Sequence, residues 1–259
     1  MIVVAEAGGA ASFLHLLGND LRWQIAVTLA RGDYRVQDLA RLLGRPVNLL
    51  SYHLAVLRRA RLVREHRSDA DARDVYYGLD LDRVREMYTQ VGERLHPALT
   101  CREDPALAVV EGWSRRPVRV LFLCTENSAR SQMAEGILRH LSRGAVEVAS
   151  AGSRPTGLHP LAVKVLAERG IDISHHRSKS LEEFRGQSFD YVITVCDRIK
   201  ESCPTFPGAP ERIHWSFADP AAVAGSEESR YWAFQVTAKE LTTMIHYLLI
   251  TIERQKGAA

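Results

Sequence analysis

A run of apolar residues followed directly by a short polar loop and a helical segment constrains this chain more than any other feature. Residues 118–123 (VRVLFL) are typical of a buried strand, and residues 131–141 predict a helix. The loop between them begins at Cys124 and ends at Arg130. Units of strand, loop and helix build parallel α/β sheets, whose active sites lie at the carboxyl ends of the strands. The sequence therefore predicts such a sheet with Cys124 at its functional edge.

The rest of the second half alternates between the same two kinds of element. Strands are predicted at 146–149, 191–195 and 212–215, and helices at 161–169 and 227–254. We therefore expect residues 117–259 to form an α/β domain with a four-stranded parallel sheet.

The polar loop has the character of an oxyanion cup. When a loop of this length wraps ahead of a helix, its backbone N–H groups point inward and the positive end of the helix adds to them. Arg130 can hold two oxygens with its planar guanidinium. The same field is expected to lower the pKa of Cys124 and make it a thiolate near neutral pH. The oxyanion-binding residues predicted on this basis are Thr125, Glu126, Asn127, Ser128, Ala129, Arg130 and Ser131.

Two more thiols and one acid follow the later strands. Cys196 comes directly after the third predicted strand, and Cys203 lies six intervening residues further on. Asp219 lies in the loop after the fourth strand, where an acid can protonate a leaving oxygen, although an Asp-Pro pair is also a common turn. No Cys-x2-Cys or histidine-rich spacing accompanies these thiols, so the sequence predicts no zinc site.

Together these motifs resemble the low-molecular-weight tyrosine phosphatase fold and, within it, the thioredoxin-coupled arsenate reductases. The resemblance covers LFLCTENSARSQMAEG, the segment 150–152, the FADP segment 217–220 and the order of the strands. It implies that Cys124 attacks arsenate while Asp219 protonates the departing hydroxyl. It further implies a relay in which Cys196 attacks Cys124 and Cys203 then attacks Cys196. Thioredoxin would be the external reductant, and no cofactor is expected.

The chain departs from this family at several positions. Position 129, often a second cysteine in the loop, is Ala129, and Ala221 stands where a phosphatase-like aromatic residue would follow Asp-Pro. Some relatives hold a potassium ion near the loop. Asn127, Glu135 and Ser150 match three of its ligands, but Lys179 replaces an expected carboxylate. We therefore expect the Lys179 ammonium to take the place of the ion, with no metal required.

The first half has a different pattern. Apolar spacing predicts a helix around residues 21–29, a second around 36–43 and a third over 47–60, followed by short strands at 62–66 and 74–79 and a final helix at 81–99. This order is that of a winged helix-turn-helix. The segment from Arg41 to Arg67 carries seven arginines and one acid, Glu65, which suggests phosphate contacts.

This half, residues 1–99, resembles the ArsR/SmtB-type repressors in its third helix and its wing. The resemblance implies a homodimer, paired through helices 12–18 and 81–99, that binds a two-fold DNA operator. The predicted DNA-binding residues are Arg45, Asn48, Ser51, Tyr52, His53, Arg58 and Arg67. The thiol cluster of arsenic-sensing members is missing, because Cys101, in the predicted linker 100–116, stands alone.

Two alternatives to a fused regulator and arsenate reductase stay open at this point. One is a phosphatase-like hydrolase fused to a regulator, and the other is a repressor whose second domain only senses an oxyanion or a redox state. No run of about 18 apolar residues and no secretion signal is seen, so we expect a cytoplasmic protein with no membrane contact.

Overall fold

The computed structural model describes residues 8–96, 117–201 and 203–257. The chain divides into two compact units, Met1–Asp104 and Pro105–Ala259. The predicted linker and Cys101 lie outside the described residues. The bounds 1–99, 100–116 and 117–259 therefore stay a prediction.

The N-terminal unit is a winged helix-turn-helix, as predicted. Its three strands form an antiparallel sheet in the order β1-β3-β2. The two-residue strand β1 was not predicted, because so short a segment has no detectable period. In chain order the elements are α1 (Gly8–Leu17), α2 (Asp20–Leu29), β1 (Tyr34–Arg35), α3 (Val36–Leu43), α4 (Val47–Arg59), β2 (Val63–Arg67), β3 (Val75–Leu79) and α5 (Leu81–Leu95).

Local signals set the ends of these helices. Asn19 caps α2, because its side chain accepts a hydrogen bond from the Arg22 amide. Gly44 ends α3 in the left-handed conformation that glycine adopts without strain, and Pro46 precedes α4. Leu50 on α4 is fully buried in the core of this unit. The buried stripe of α4 leaves its opposite face available to a ligand.

The C-terminal unit contains the predicted parallel sheet, in the order β5-β4-β6-β7. Two short 3-10 turns, Leu181–Phe184 and Pro220–Ala222, connect its elements. These elements are β4 (Val118–Cys124), α6 (Arg130–Leu141), β5 (Val146–Gly152), α7 (Pro160–Ala167), β6 (Tyr191–Thr194), α8 (Asp197–Glu201), β7 (Glu211–His214) and α9 (Glu227–Gly257).

The strand order places the carboxyl end of β4, where Cys124 lies, in the middle of this sheet. β4 pairs with β5 on one side and with β6 on the other, so the chain reverses direction across the sheet at the carboxyl end of β4. Crevices at such switch points are the usual ligand sites of open α/β sheets. α6 packs on β4 and β5, and α9 packs on α6 and α7. None of the described helices combines the length and the apolar character needed to cross a bilayer.

A glycine opposite Cys124 permits this arrangement. In the β4–β5 register, Gly152 pairs with Cys124. A Cβ atom at position 152 would lie 2.6 Å from the Thr125 carbonyl oxygen and 2.8 Å from the Asn127 amide nitrogen. Backbone atoms cannot move aside as the end of a side chain can, so the loop after β4 requires glycine here.

We expect Gly152→Ala to displace this loop and lower the free energy of unfolding by about 1–3 kcal/mol, the usual cost of overpacking. Urea denaturation measures the change. Ser153→Ala, at the exposed neighbouring position, is the matched control and should leave stability unchanged. An alanine variant as stable as the parent chain would show that the loop tolerates the methyl group.

Candidate active site

Three carbonyl groups of the loop after β4 are turned outward. Arg154 N donates to the Thr125 oxygen at 2.8 Å, and Thr156 N donates to the Glu126 oxygen at 3.1 Å. His159 N donates to the Ser128 oxygen at 2.9 Å. Because a trans peptide places its N–H opposite its C=O, the amides that follow these carbonyls face the inside of the loop. Inward amides are what an anion cup requires, and that this loop, called the cup below, binds an oxyanion stays a prediction.

Asn127 holds the loop in shape from within. Its side chain is buried, and its backbone is left-handed (φ 49°), a conformation that asparagine tolerates. Its amide nitrogen donates to Ser131 Oγ at 2.9 Å and to Ser150 Oγ at 2.8 Å. Its amide oxygen accepts from Gln132 Nε2 at 2.9 Å and from the Lys179 amide at 2.7 Å. Both donor hydrogens and both acceptor positions of the amide are therefore used.

Cys124 Sγ lies among hydrogen-bond donors at the bottom of the cup. The Asn127 amide approaches it to 3.1 Å and Ser131 Oγ to 2.8 Å. Ser131 Oγ accepts from Asn127, and its O–H hydrogen can be donated to the sulfur when Cys124 is a thiolate. These contacts can stabilise a thiolate.

The expected lowering of the Cys124 pKa is not seen. Burial raises the pKa of this thiol, and the nearby Cys196 raises it further, against opposing effects of Ser131, Arg130 and the Asn127 amide. The prediction was incomplete, because it counted the local donors and left out the desolvation that the surrounding sheet imposes. Formation of the Cys124 thiolate therefore depends strongly on Ser131, Arg130 and the Asn127 amide, which oppose the desolvation.

Arg130 and Asp219 are brought together. Arg130 Nη2 lies 3.0 Å from Asp219 Oδ2, and Arg130 Nη1 donates to the Phe217 carbonyl oxygen at 2.7 Å. The guanidinium is buried, whereas the Asp219 carboxylate is about one-third exposed. The Arg130 guanidinium thus holds the Asp219 carboxylate next to the loop.

The two remaining thiols lie in different surroundings. Cys196 is buried, and its sulfur lies 3.4 Å from Thr125 Oγ1, one residue from Cys124. Cys203 is partly exposed, and its thiol is directed to the Pro204 oxygen at 3.7 Å. None of these three described cysteines is in a disulfide. The structure thus brings Cys196 to the cup and leaves Cys203 at the surface.

Lys179 pairs with Glu135, one of the three residues that the resemblance matched to potassium ligands. Its ammonium lies 3.0 Å from Glu135 Oε2, and Glu135 also accepts from Ser150 Oγ at 2.6 Å and from Arg139 at 2.6 Å. Burial alone would raise the pKa of Glu135, but Lys179, Ser150 and Arg139 outweigh it and lower that pKa. An ammonium already compensates the carboxylate, so this set of residues does not fit a monovalent cation. That no metal is needed stays a prediction.

The structure also places the predicted DNA-binding residues. Asn48, Ser51 and Tyr52 share the exposed face of α4, and Arg45 is exposed just before it. Arg58 is paired with Glu65 at 2.5 Å, and Arg67 donates to the Ala72 oxygen. His53 does not belong to this face: it is buried, and desolvation together with Arg22 lowers its pKa. The prediction was wrong for His53, because position 53 follows the buried stripe set by Leu50 and Leu54.

Several supporting residues were not predicted from the sequence. Gln132 Nε2 donates to the Asn127 backbone oxygen at 3.2 Å as well as to the Asn127 side chain, and its Oε1 lies 3.0 Å from His176 Nδ1. Behind Cys196, the buried Asp197 contacts His214 at 3.0 Å and Ser216 at 2.8 Å. The signal available in the sequence was that a carboxylate, Asp197, directly follows Cys196.

Comparison with known proteins identifies relatives of both units. Residues 119–258 match the family described as low molecular weight phosphotyrosine protein phosphatase, and residues 19–65 match bacterial regulatory protein, arsR family. An arsenate reductase of Shouchella clausii is 42% identical over 126 residues, which are 49% of this chain and 91% of the relative. The arsenate reductase of Bacillus subtilis is 41% identical over 122 residues, 47% of this chain and 88% of the relative. Among solved structures, a thioredoxin-dependent arsenate reductase of Corynebacterium glutamicum is 26% identical and covers 90% of this chain and 98% of its own, with a TM-score of 0.44.

We expect Ser131→Ala to raise the pKa of Cys124 further, because the thiolate loses a charge-assisted hydrogen bond. At neutral pH, alkylation of Cys124 by iodoacetamide should slow, and its rate profile should move to higher pH. Peptide mass spectrometry separates Cys124 from the other thiols.

The matched control for this variant is the exposed Ser153→Ala, which should keep the parent profile. A profile that stays in place in Ser131→Ala would mean that Ser131 does not stabilise the thiolate.

Proposed function

From residue 119 to residue 258 this chain belongs to the low molecular weight phosphotyrosine protein phosphatase family, and on that premise we propose that its C-terminal unit is an arsenate reductase. Arsenate and phosphate are both tetrahedral oxyanions, so the cup around Cys124 suits either. The relatives named arsenate reductase support the choice between them, since they are about 40% identical over nearly their whole length. The N-terminal unit carries an arsR-family helix-turn-helix, which makes the chain a fusion of regulator and enzyme.

One contact carries this proposal more than any other. The Cys196 sulfur lies 3.4 Å from Thr125 Oγ1, beside the cup that holds Cys124. A phosphatase completes its cycle with water and needs no second thiol. Reduction of As(V) to As(III) needs two electrons, and a second thiol next to the first can supply them as a disulfide forms.

In the first step the Cys124 thiolate attacks the arsenic atom of arsenate. An S–As bond forms and an As–O bond breaks, and Asp219 donates the proton with which the oxygen leaves as water. Arg130 exchanges the Phe217 oxygen and Asp219 for two oxygens of the substrate. The inward amides of the loop and the end of α6 stabilise the remaining negative charge.

In the second step the Cys196 thiolate attacks the Cys124 sulfur. A Cys124–Cys196 disulfide forms, the S–As bond breaks, and its electron pair stays with arsenic, which leaves as arsenite. In the third step the Cys203 thiolate attacks the Cys196 sulfur and returns Cys124 as a thiolate. The partial exposure of Cys203 makes the final Cys196–Cys203 disulfide accessible to an external dithiol.

We propose thioredoxin as that external dithiol, with no prosthetic group required. Such a relay needs surroundings in which thiols are kept reduced, so we place the protein in the cytoplasm. A phosphatase remains the second candidate, because the same cup binds phosphate. Steady hydrolysis of p-nitrophenyl phosphate that is independent of Cys196 would favour it.

We further propose that the N-terminal unit binds an operator in DNA. The exposed face of α4 carries short or flat polar side chains, Asn48, Ser51 and Tyr52, which suit base edges or phosphates. Arg45, Arg58 and Arg67 are exposed nearby and suit the phosphate backbone.

The proposed homodimer pairs through α1 and α5. These helices contact each other within the chain and expose large apolar side chains: Leu14 is 52% exposed, Tyr88 66% and Leu95 69%. Apolar side chains gathered on two adjacent helices are typical of an interface. A dimer would also match a two-fold operator.

We expect arsenate-dependent oxidation of NADPH in the presence of thioredoxin and thioredoxin reductase. Replacing Cys124, Cys196 or Cys203 by serine, one at a time, should each abolish turnover, because the relay passes through all three sulfurs. Cys101→Ser is the matched control and should retain turnover. Full turnover in Cys203→Ser would remove the third step.

The DNA-binding proposal is tested by the salt dependence of binding to a short random-sequence duplex. We expect Arg45→Ala to reduce the slope of log affinity against log salt by about one, because one phosphate contact is lost. Lys239→Ala, which removes an exposed charge from the other unit, is the control and should keep the slope. Equal slopes in all three proteins would contradict a phosphate contact at Arg45.

A further inference from the structure

The segment between the two relay thiols is anchored at one end by buried contacts. Asp197, which directly follows Cys196, has no exposed surface. Ser216 Oγ donates to its Oδ1 at 2.8 Å, and His214 Nε2 lies 3.0 Å from the same atom. His214 is the last residue of β7, and Ser216 lies just beyond it. These contacts therefore tie the start of α8 to the edge of the sheet.

The contacts of Asp197 continue to the neighbouring strand. His214 Nδ1 lies 2.8 Å from Thr194 Oγ1, at the end of β6. On the other side of Cys196, the Val195 amide donates to the Leu123 oxygen at 2.8 Å, directly before Cys124. The hydrogen bonds of its two neighbours in the chain, Val195 and Asp197, thus hold Cys196 in place.

The Cys203 end is held differently. Arg212 Nη2 donates to the backbone oxygens of Cys203 and Pro204, both at 3.1 Å, and these bonds are exposed. Exposed contacts of this kind are worth little, because water can replace either partner. A buried carboxylate that loses its donors cannot be compensated in that way. The segment should therefore open from the Cys203 end and not from the Cys196 end.

We propose that Asp197 is a positioning residue for the thiol relay. Its carboxylate, held by His214 and Ser216, keeps Cys196 beside Cys124 while the Cys203 end moves. This inference rests on the proposed reductase function and adds to it the residue that holds the Cys196 sulfur in place.

The sulfur chemistry of the relay is consistent with a Cys196 sulfur that stays in place. Cys203 loses its proton to solvent and attacks the Cys196 sulfur of the Cys124–Cys196 disulfide. The Cys196–Cys203 bond forms as the Cys124–Cys196 bond breaks, and the electron pair leaves with Cys124 as its thiolate. Asp197 exchanges no proton or electron in this step, because it only fixes the sulfur that is attacked.

The test uses the full chain carrying Cys203→Ser, in which the relay stops after the first disulfide. A single turnover then releases arsenite at the rate with which Cys196 attacks Cys124. Adding Asp197→Ala should lower that rate about tenfold, the equivalent of about 1.4 kcal/mol. The affinity for inorganic phosphate, measured by calorimetry, should stay within about twofold of the parent, because the cup itself is untouched.

Three companion variants complete the experiment. Asp197→Asn keeps an acceptor oxygen and should restore the rate to within about threefold of the parent. Ser216→Ala removes one donor and should give an intermediate rate, which keeps the proposal testable if Asp197→Ala does not fold. Arg212→Ala, at the Cys203 end, should leave arsenite release unchanged.

The outcomes separate the possible failures. Unchanged arsenite release in Asp197→Ala and Ser216→Ala would overturn the positioning role. A loss of phosphate affinity as large as the loss of arsenite release would also overturn it, because it would indicate a general structural role. If the Cys203→Ser parent releases no arsenite at all, the reductase proposal itself fails and this inference fails with it.

Discussion

The hydrogen bonds of the Asn127 side chain hold the shape on which the rest of the site depends. They connect the anion cup to Ser131 on α6, to Ser150 on β5 and to the segment around Lys179. With every donor and acceptor of the amide used, the left-handed backbone at Asn127 is over-determined by its surroundings. Carbonyl groups of the loop can then point outward, and the Asn127 amide donates to the Cys124 sulfur.

The same burial that excludes water from Cys124 makes its ionisation unfavourable. A thiol that lies in a sheet core has its pKa raised, and the nearby Cys196 adds to this effect. The donors around the sulfur act against that cost. Cys124 and Cys196 therefore share one buried environment, whereas Cys203 lies partly exposed. This difference suits a relay that moves oxidising equivalents from a protected pocket to the surface.

Much of this organisation could be predicted from the sequence, because its signals are local. Mostly apolar runs mark β4 and β6, the two central strands, and the loop from Cys124 to Arg130 has its chemistry in consecutive residues. The parts that were missed depend on contacts between distant segments. α8 has only five residues and no period, and His214 lies 17 positions from Asp197. The pKa of Cys124 was misjudged for the same reason, since desolvation comes from strands far away in sequence.

Peptide mapping of the Cys203→Ser chain after one exposure to arsenate tests the central claim most directly. In this chain the relay can form its first disulfide but cannot pass it on. The account predicts a disulfide between Cys124 and Cys196, formed in step with one arsenite released per chain. Arsenite release without that disulfide, or Cys124 found linked to any other thiol, would contradict it.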